Sequence, residues 1–357
     1  MCIAFFALSL PGYKLVLASN RDEFIDRPTL PAQWHDFDAS IPEGSGQSTV
    51  ASEGRVTGSV LSGLDRGKQE GGTWLGITRD LRVGLLTNVR LTPPAPPLRP
   101  ARNPPSRGLL LKSFLSPHPP PPPSSSPEKT QGATNAHGAL TPELGVHDYL
   151  ASYLPTAGEY EGFNLLLFSL GRKGVEPEVG YLTNRPVPSF TDLQVPHTRR
   201  AQTEREHDPV ADSNHLNIKS GSLSSAQCFG LSNSPMSQPW PKVVDGEKRM
   251  VQTLKEWNEA GRGDERDLVE RMFKLLSHQV PVTSPDLSHT TTVPLLDVPS
   301  ELPNNASRGY GTRTATVILV KEDGKTTFVE RDVLVLDDKG EARRGDAERW
   351  YEFEAEI

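Results

Sequence analysis

Met1-Cys2-Ile3-Ala4-Phe5-Phe6-Ala7-Leu8-Ser9-Leu10-Pro11-Gly12-Tyr13-Lys14-Leu15-Val16-Leu17-Ala18-Ser19-Asn20-Arg21-Asp22-Glu23 opens the chain, and its reading decides the fold. Two apolar runs, Cys2–Leu10 and Leu15–Ala18, flank Pro11-Gly12-Tyr13-Lys14. A Pro-Gly pair between apolar runs is a turn signal, so the stretch reads as strand, tight turn, strand. It does not read as a signal peptide. The start carries no basic residue, the apolar stretch is short, and a second apolar run stands where a cleavage site would lie.

The same arrangement recurs along the chain. Thr73–Thr78 and Leu81–Thr87 pair around Arg79-Asp80, Phe163–Leu170 pairs with Val179–Thr183, and Arg313–Val320 pairs with Thr327–Leu336 around Asp323-Gly324. A short last strand is expected near Trp350–Phe353. Helical spacing marks Arg107–Leu115 behind a Ser106 cap, and a short segment opened by Pro142 that ends near Leu154. Two amphipathic helices follow, Pro241–Trp257 (Val244, Met250, Leu254 inward) and Glu265–Leu276 (Leu268, Met272, Leu275, Leu276 inward). Strands in hairpins and helices in adjacent groups predict an α+β fold of mostly antiparallel sheets covered by helices, not a doubly wound parallel sheet.

An apolar content of 35% is low and 33 prolines is high, which fits an ordinary core carrying long polar insertions. Those insertions fall at about 91–105, 117–142, 189–225 and 280–308, between elements and not between two cores. One domain over 1–357 is therefore expected. A net charge of −7 excludes the broad basic surface that nucleic acid selects. Two cysteines, Cys2 and Cys228, cannot build a disulfide framework and fit a reducing compartment. No apolar run reaches the ~18 residues of a membrane span. A cytoplasmic protein is the expectation. Nine histidines without paired spacing, an incomplete phosphate loop at Gly63–Lys68 and the lack of a Gly-x-Ser-x-Gly elbow predict no metal and no resident cofactor.

Cys2 carries the most distinctive chemistry. Removal of Met1 puts a thiol and a free α-amine on one residue, and an amine titrating near neutral pH can act as base for the thiol. Equally, cysteine is a small hydrophobe that suits a buried strand. Asn20-Arg21-Asp22-Glu23 follows the second apolar run and reads as a solvated turn, or as a cluster facing Cys2. In the second case Arg21 lowers the thiol pKa and Asp22 orients the amine. Asn88 and Asn233 sit at strand ends, where a carboxamide is either a turn former or an oxyanion donor.

Taken together, Met1-Cys2, Asn20–Glu23, Gly71–Ile77, Thr87–Arg90, Ser106–Leu109, Gly162–Leu166, Thr183–Arg185, Gly230–Ser234 and Tyr310–Arg313 resemble the NRDE-motif, or transport and Golgi organisation 2, family. The motifs come in family order across almost the whole chain. The proline-rich segments lie outside them and look like insertions of the fungal sort. The resemblance implies an N-terminal-nucleophile hydrolase-like four-layer αββα sandwich, distantly similar to choloylglycine hydrolases and penicillin V acylases. The residues matching their active-site pattern are Cys2, Arg21, Asp22, Asn88, Asn233 and Arg313. It also implies a cytosolic factor in Golgi and endoplasmic reticulum organisation, protein secretion and haem or lipid trafficking. Such a factor would associate transiently with endomembranes or mitochondria, with haem or an acyl-bearing compound as its small-molecule ligand. The alternative it leaves open is an active amidohydrolase with Cys2 as nucleophile.

Overall fold

The computed structural model describes residues 2–8, 10–37, 58–68, 70–90, 104–116, 145–171, 177–186, 188–193, 227–280, 287–298 and 308–356. The opening hairpin forms as read: strand β1 (Cys2–Leu8) pairs antiparallel with β2 (Tyr13–Phe24), Cys2 opposite Arg21 and Leu8 opposite Leu15. Gly12 takes φ +91° at the turn, a conformation that suits residues without a Cβ. β2 runs further than its apolar run indicates. Asn20–Glu23 continues the strand and is not a turn after it, because β12 (Arg308–Lys321) pairs along its full length. With β10 (Gln227–Leu231), β13 (Lys325–Asp332) and β16 (Glu348–Glu354) these strands form a sheet ordered β10-β1-β2-β12-β13-β16, with β11 (Leu296–Val298) also on β12.

The second sheet is a meander, β3 (Thr29–His35), β4 (Val60–Asp65), β5 (Leu75–Thr78), β6 (Arg82–Asn88), β7 (Phe163–Ser169), β8 (Glu178–Thr183) and β9 (Ser189–Asp192). A small hairpin, β14 (Leu334–Leu336) with β15 (Ala342–Arg344), stands apart. All pairings within these sheets are antiparallel among the described residues.

Strand alternation builds the layers. Ala4, Phe6, Leu8, Leu15 and Leu17 point to the second sheet and pack on Leu61, Ile77, Leu85 and Phe168. Their neighbours Ile3, Phe5, Ala7, Val16 and Ala18 pack instead under helices α3 (Pro241–Glu259) and α4 (Glu265–Leu276). On the far side α1 (Gly108–Leu115) and α2 (Val146–Tyr153) cover the second sheet through Leu111, Leu115, Leu150 and Leu165. Helix, sheet, sheet, helix is the expected four-layer αββα sandwich.

Several expectations are corrected in detail. β3, β4 and β10 are strands that the sequence reading does not mark; Gly or Pro interrupts each of them. Ser189–Asp192 and Leu296–Val298, assigned above to insertions, are strands added by pairing with β8 and β12. The rest of 91–105, 117–142, 189–225 and 280–308 lies largely outside the described residues. Ser106 does not cap α1: the N-cap is Arg107, and no side chain bonds there. On α3 Val244 is exposed and Val243 takes the inward place, because Phe5 fits against Gly246, where a Cβ would lie 2.0 Å from the ring.

One buried histidine makes stability pH-dependent. His35 Nδ1 accepts from the Phe37 N–H (3.1 Å), so Nε2 carries the proton and donates to Ser62 Oγ (2.9 Å). Burial pushes its pKa down to about 4 from the usual 6.5. A lowered folded-state pKa means the unfolded chain binds the proton first. The contribution is therefore whole above about pH 6.5 and is lost as pH falls towards 4, on the order of 3 kcal/mol in all. Urea unfolding from pH 7 to 4 is expected to show this loss, and His35→Gln to flatten it. Equal slopes for both proteins would refute the assignment.

Candidate functional site

The site lies where β1 and β2 end, at the edge of the space between the sheets. Cys2 shares the inter-sheet face with Arg21, its cross-strand partner. They line a cleft of about 220 Å³ with Asp22, Asp65, Trp74, Asn88 and Arg107. Cys2 as a residue is half-buried, but its thiol is enclosed enough that burial pushes it up. The Asp22 backbone N–H and the Arg21 guanidinium act in the opposite direction without prevailing. The expected lowering of the thiol by Arg21 is thus present as a contribution and outweighed.

Arg21 is buried, with its guanidinium 4.1 Å from the Trp74 ring centroid and 3.3 Å from Asp65 Oδ2. Asp65 also takes Arg27 Nε at 2.8 Å, and these cations hold its carboxyl below the usual range against the effect of burial. Asp22 Oδ1 accepts from Thr312 Oγ1 at 2.6 Å. Burial raises its pKa, with buried Lys242 among the groups opposing that rise.

Asn233 reaches Cys2 directly. Its Oδ1 accepts from Cys2 N at 2.9 Å, its Nδ2 donates to Asn88 O at 2.7 Å, and Ser232 Oγ donates to Cys2 O at 2.8 Å. The side chain of Asn233 thus bridges the end of β1 to the end of β6. Once Met1 is removed, the nitrogen that Asn233 holds is the α-amine.

Two of the anticipated residues stand elsewhere. Asn20 faces the helices, where Nδ2 donates to Leu276 O and Thr291 O, each at 3.1 Å. Arg313 sits at the bulge where β12 shifts register against β2. It does not line the cleft but donates to Arg27 O at 2.6 Å and Phe24 O at 3.4 Å. There it braces the turn that carries Arg27. Burial pushes its pKa down to about 10. Glu23 does border the cleft.

The sequence reading gives no role to Asp65 and Lys242, single polar positions that carry no pattern, nor to Arg107, although Arg107 lies in the family motif Ser106–Leu109. It gives no role to Asn164 either, although Asn164 lies in the family motif Gly162–Leu166. A carboxamide inside the apolar run Phe163–Leu167 is a signal, since a buried amide has to be satisfied. Thr183-Asn184-Arg185 proves structural. Asn184 accepts from Phe163 N at 2.8 Å and donates to Ala157 O and Glu161 O, pinning the 157–161 turn.

The profile of the family described as "Transport and Golgi organisation 2" matches residues 1–334. The chain belongs to this family. A transport and Golgi organization protein 2 homolog of Bos taurus is 30% identical over 347 residues, covering 94% of this chain and 95% of its own. The Drosophila melanogaster transport and Golgi organization protein 2 is 26% identical, with 99% of each chain covered. Among solved structures, a conjugated bile acid hydrolase of Clostridium perfringens aligns over 99% of this chain and 98% of its own. At 8% identity and a TM-score of 0.37, that likeness is too low for anything about this chain to follow from it. The family motifs fall mainly on the cleft and on the residues that brace it. Among the described residues no helix is long and apolar enough to cross a membrane.

Proposed function

We propose that this protein acts in transport and Golgi organisation, as a cytosolic factor on a hydrolase-like scaffold. It would serve protein secretion and the movement of haem or lipid between membranes. The observation that carries this reading is the match along nearly full length to proteins named for transport and Golgi organisation. Deleting the gene in its own cell is expected to slow secretion and disturb Golgi morphology, with rescue by the intact chain. Unchanged secretion, Golgi morphology and haem distribution would overturn the reading.

A second reading is favoured by the hydrogen bond from Cys2 N to Asn233 Oδ1. Here the protein is an amidohydrolase acting after Met1 is removed. Cys2 Sγ forms a bond to an amide carbonyl carbon while the α-amine accepts the thiol proton. The carbon–nitrogen bond then breaks, the leaving amine takes that proton, and water hydrolyses the thioester to free the acid. Asn88 and Asn233 would bind the oxyanion, with Asp22 beside the amine. Because the enclosed thiol is not a standing thiolate, the step depends on the amine.

Limiting iodoacetamide near neutral pH tests this. Intact mass is expected to show Met1 absent, and Cys2 alkylated at least ~10-fold faster than Cys228, whose thiol burial pushes up to about 12. Retained Met1, an inert Cys2, or full complementation by Cys2→Ala would sink the amidohydrolase and leave the first reading standing.

A further inference from the structure

The loop Ser232-Asn233-Ser234 has no regular partner strand, yet it has to hold one carboxamide within hydrogen-bond distance of the first residue of β1. What holds it is a chain of buried polar groups in the second sheet. The two Asn164 Nδ2 protons reach Ser232 O at 3.0 Å, Ser234 O at 2.9 Å and Thr87 Oγ1 at 3.1 Å, so one of them is shared between two acceptors. Thr87 Oγ1 itself donates to Ser232 O at 2.7 Å, and Arg90 N donates to Asn233 O at 2.8 Å. Both carbonyls flanking Asn233 are therefore held by one amide, and the carbonyl of Asn233 by the backbone just beyond β6.

An amide can serve this way only if its NH₂ end faces the loop, and Tyr181 decides that. The Tyr181 hydroxyl accepts from Met236 N at 3.1 Å, which leaves its single proton for Asn164 Oδ1 at 2.7 Å. A hydroxyl proton aimed at one end of the amide fixes that end as the oxygen. Tyr181 and Asn164 are buried, and burial pushes the phenol up to about 12, so it remains a donor at working pH. Donors then run in one sense from Met236 N–H through Tyr181, Asn164 and the 232–234 loop, and such a chain reinforces itself in a low-dielectric interior.

We propose that Tyr181 and Asn164 are positioning residues for Cys2, setting the Asn233 carboxamide against the Cys2 amine through the Ser232 and Ser234 carbonyls. This rests on the amidohydrolase reading and assigns that site a support that none of the candidate catalytic residues supplies. With Asn233 Oδ1 accepting, the protonated amine is favoured, and a positive charge next to the thiol favours the thiolate. Loosening Asn233 removes that help and moves the apparent midpoint of Cys2 alkylation upwards.

The experiment is a pH–rate profile of Cys2 alkylation by iodoacetamide, on protein whose intact mass shows that Met1 is gone. Cys228 is monitored in the same digest, and thermal unfolding in parallel. Tyr181→Phe is expected to raise the Cys2 midpoint by about half a pH unit or more, the size of one lost hydrogen bond. Asn233→Ala is expected to raise it at least as far. Asn184→Ala removes an equally buried carboxamide that holds the 157–161 turn and the Phe163 N–H but makes no bond to the 232–234 loop, so it is expected to lower thermal stability without moving the profile. If Tyr181→Phe leaves the midpoint in place while Asn233→Ala moves it, the positioning role is overturned and the Cys2 site stands. If Asn184→Ala moves it as far as Tyr181→Phe, general loosening explains the effect and the proposal falls. If Asn233→Ala leaves it unmoved, the Cys2–Asn233 site fails together with its support.

Discussion

Trp74→Ala is expected to lower the unfolding free energy by about 3–5 kcal/mol, the cost of a large aromatic removed from a core. Trp74 is 9% exposed and packs in the core between the two sheets. Its ring lies so close to Gly63 that a Cβ there would come within 2.6 Å, so there is no slack for neighbours to close the gap cheaply. Arg21 also loses the ring face beneath its guanidinium, a contact worth about 1 kcal/mol when partly desolvated. Urea unfolding should show a lower midpoint at unchanged slope. A loss below about 1 kcal/mol would mean that the ring does not fill this space. The same variant frees Arg21 next to Cys2, so impaired function in Trp74→Ala is no evidence of a chemical role for the tryptophan.

The second large effect is at Asn20. Asn20→Ala is expected to cost about 1–3 kcal/mol, through the Thr291 carbonyl left without the amide donor in a buried place, while the Leu276 carbonyl keeps the Thr292 hydroxyl. Asn20 is 1% exposed, and its amide donates to the last carbonyl of α4 and to the Thr291 carbonyl. It acts as a side-chain cap brought from a strand to the C-terminus of α4, where it shares the Leu276 carbonyl with the Thr292 hydroxyl. Hydrogen exchange should quicken first in the last turn of α4. A change under about 0.5 kcal/mol would show that water replaces the amide at no cost. The motif Asn20-Arg21-Asp22-Glu23 thus divides by strand alternation, Asn20 bracing α4 and Arg21 facing the cleft.

The amino-acid sequence by itself determined the hairpin architecture. Apolar runs flanking turn residues at Pro11-Gly12 and Asp323-Gly324, and 3.6-residue spacing in α3 and α4, are local signals. They suffice to specify antiparallel sheets under helices. The ordered motifs from Cys2 to Arg313 also named the family and most of the cleft. What the sequence could not determine is which polar residue meets which, because those meetings are non-local. Cys2 and Asn233 are 231 positions apart, and Asn20 reaches a helix end 256 positions away. β3, β4 and β10 are interrupted by Pro31, Gly63 and Gly230, and are held as strands by pairing with their neighbours. The register bulge between Thr312 and Thr314 falls at Arg313, which bonds the Phe24 and Arg27 carbonyls. Tertiary packing alone decided that the Cys2 thiol is pushed up, since desolvation depends on what surrounds a group and not on its neighbours in the chain.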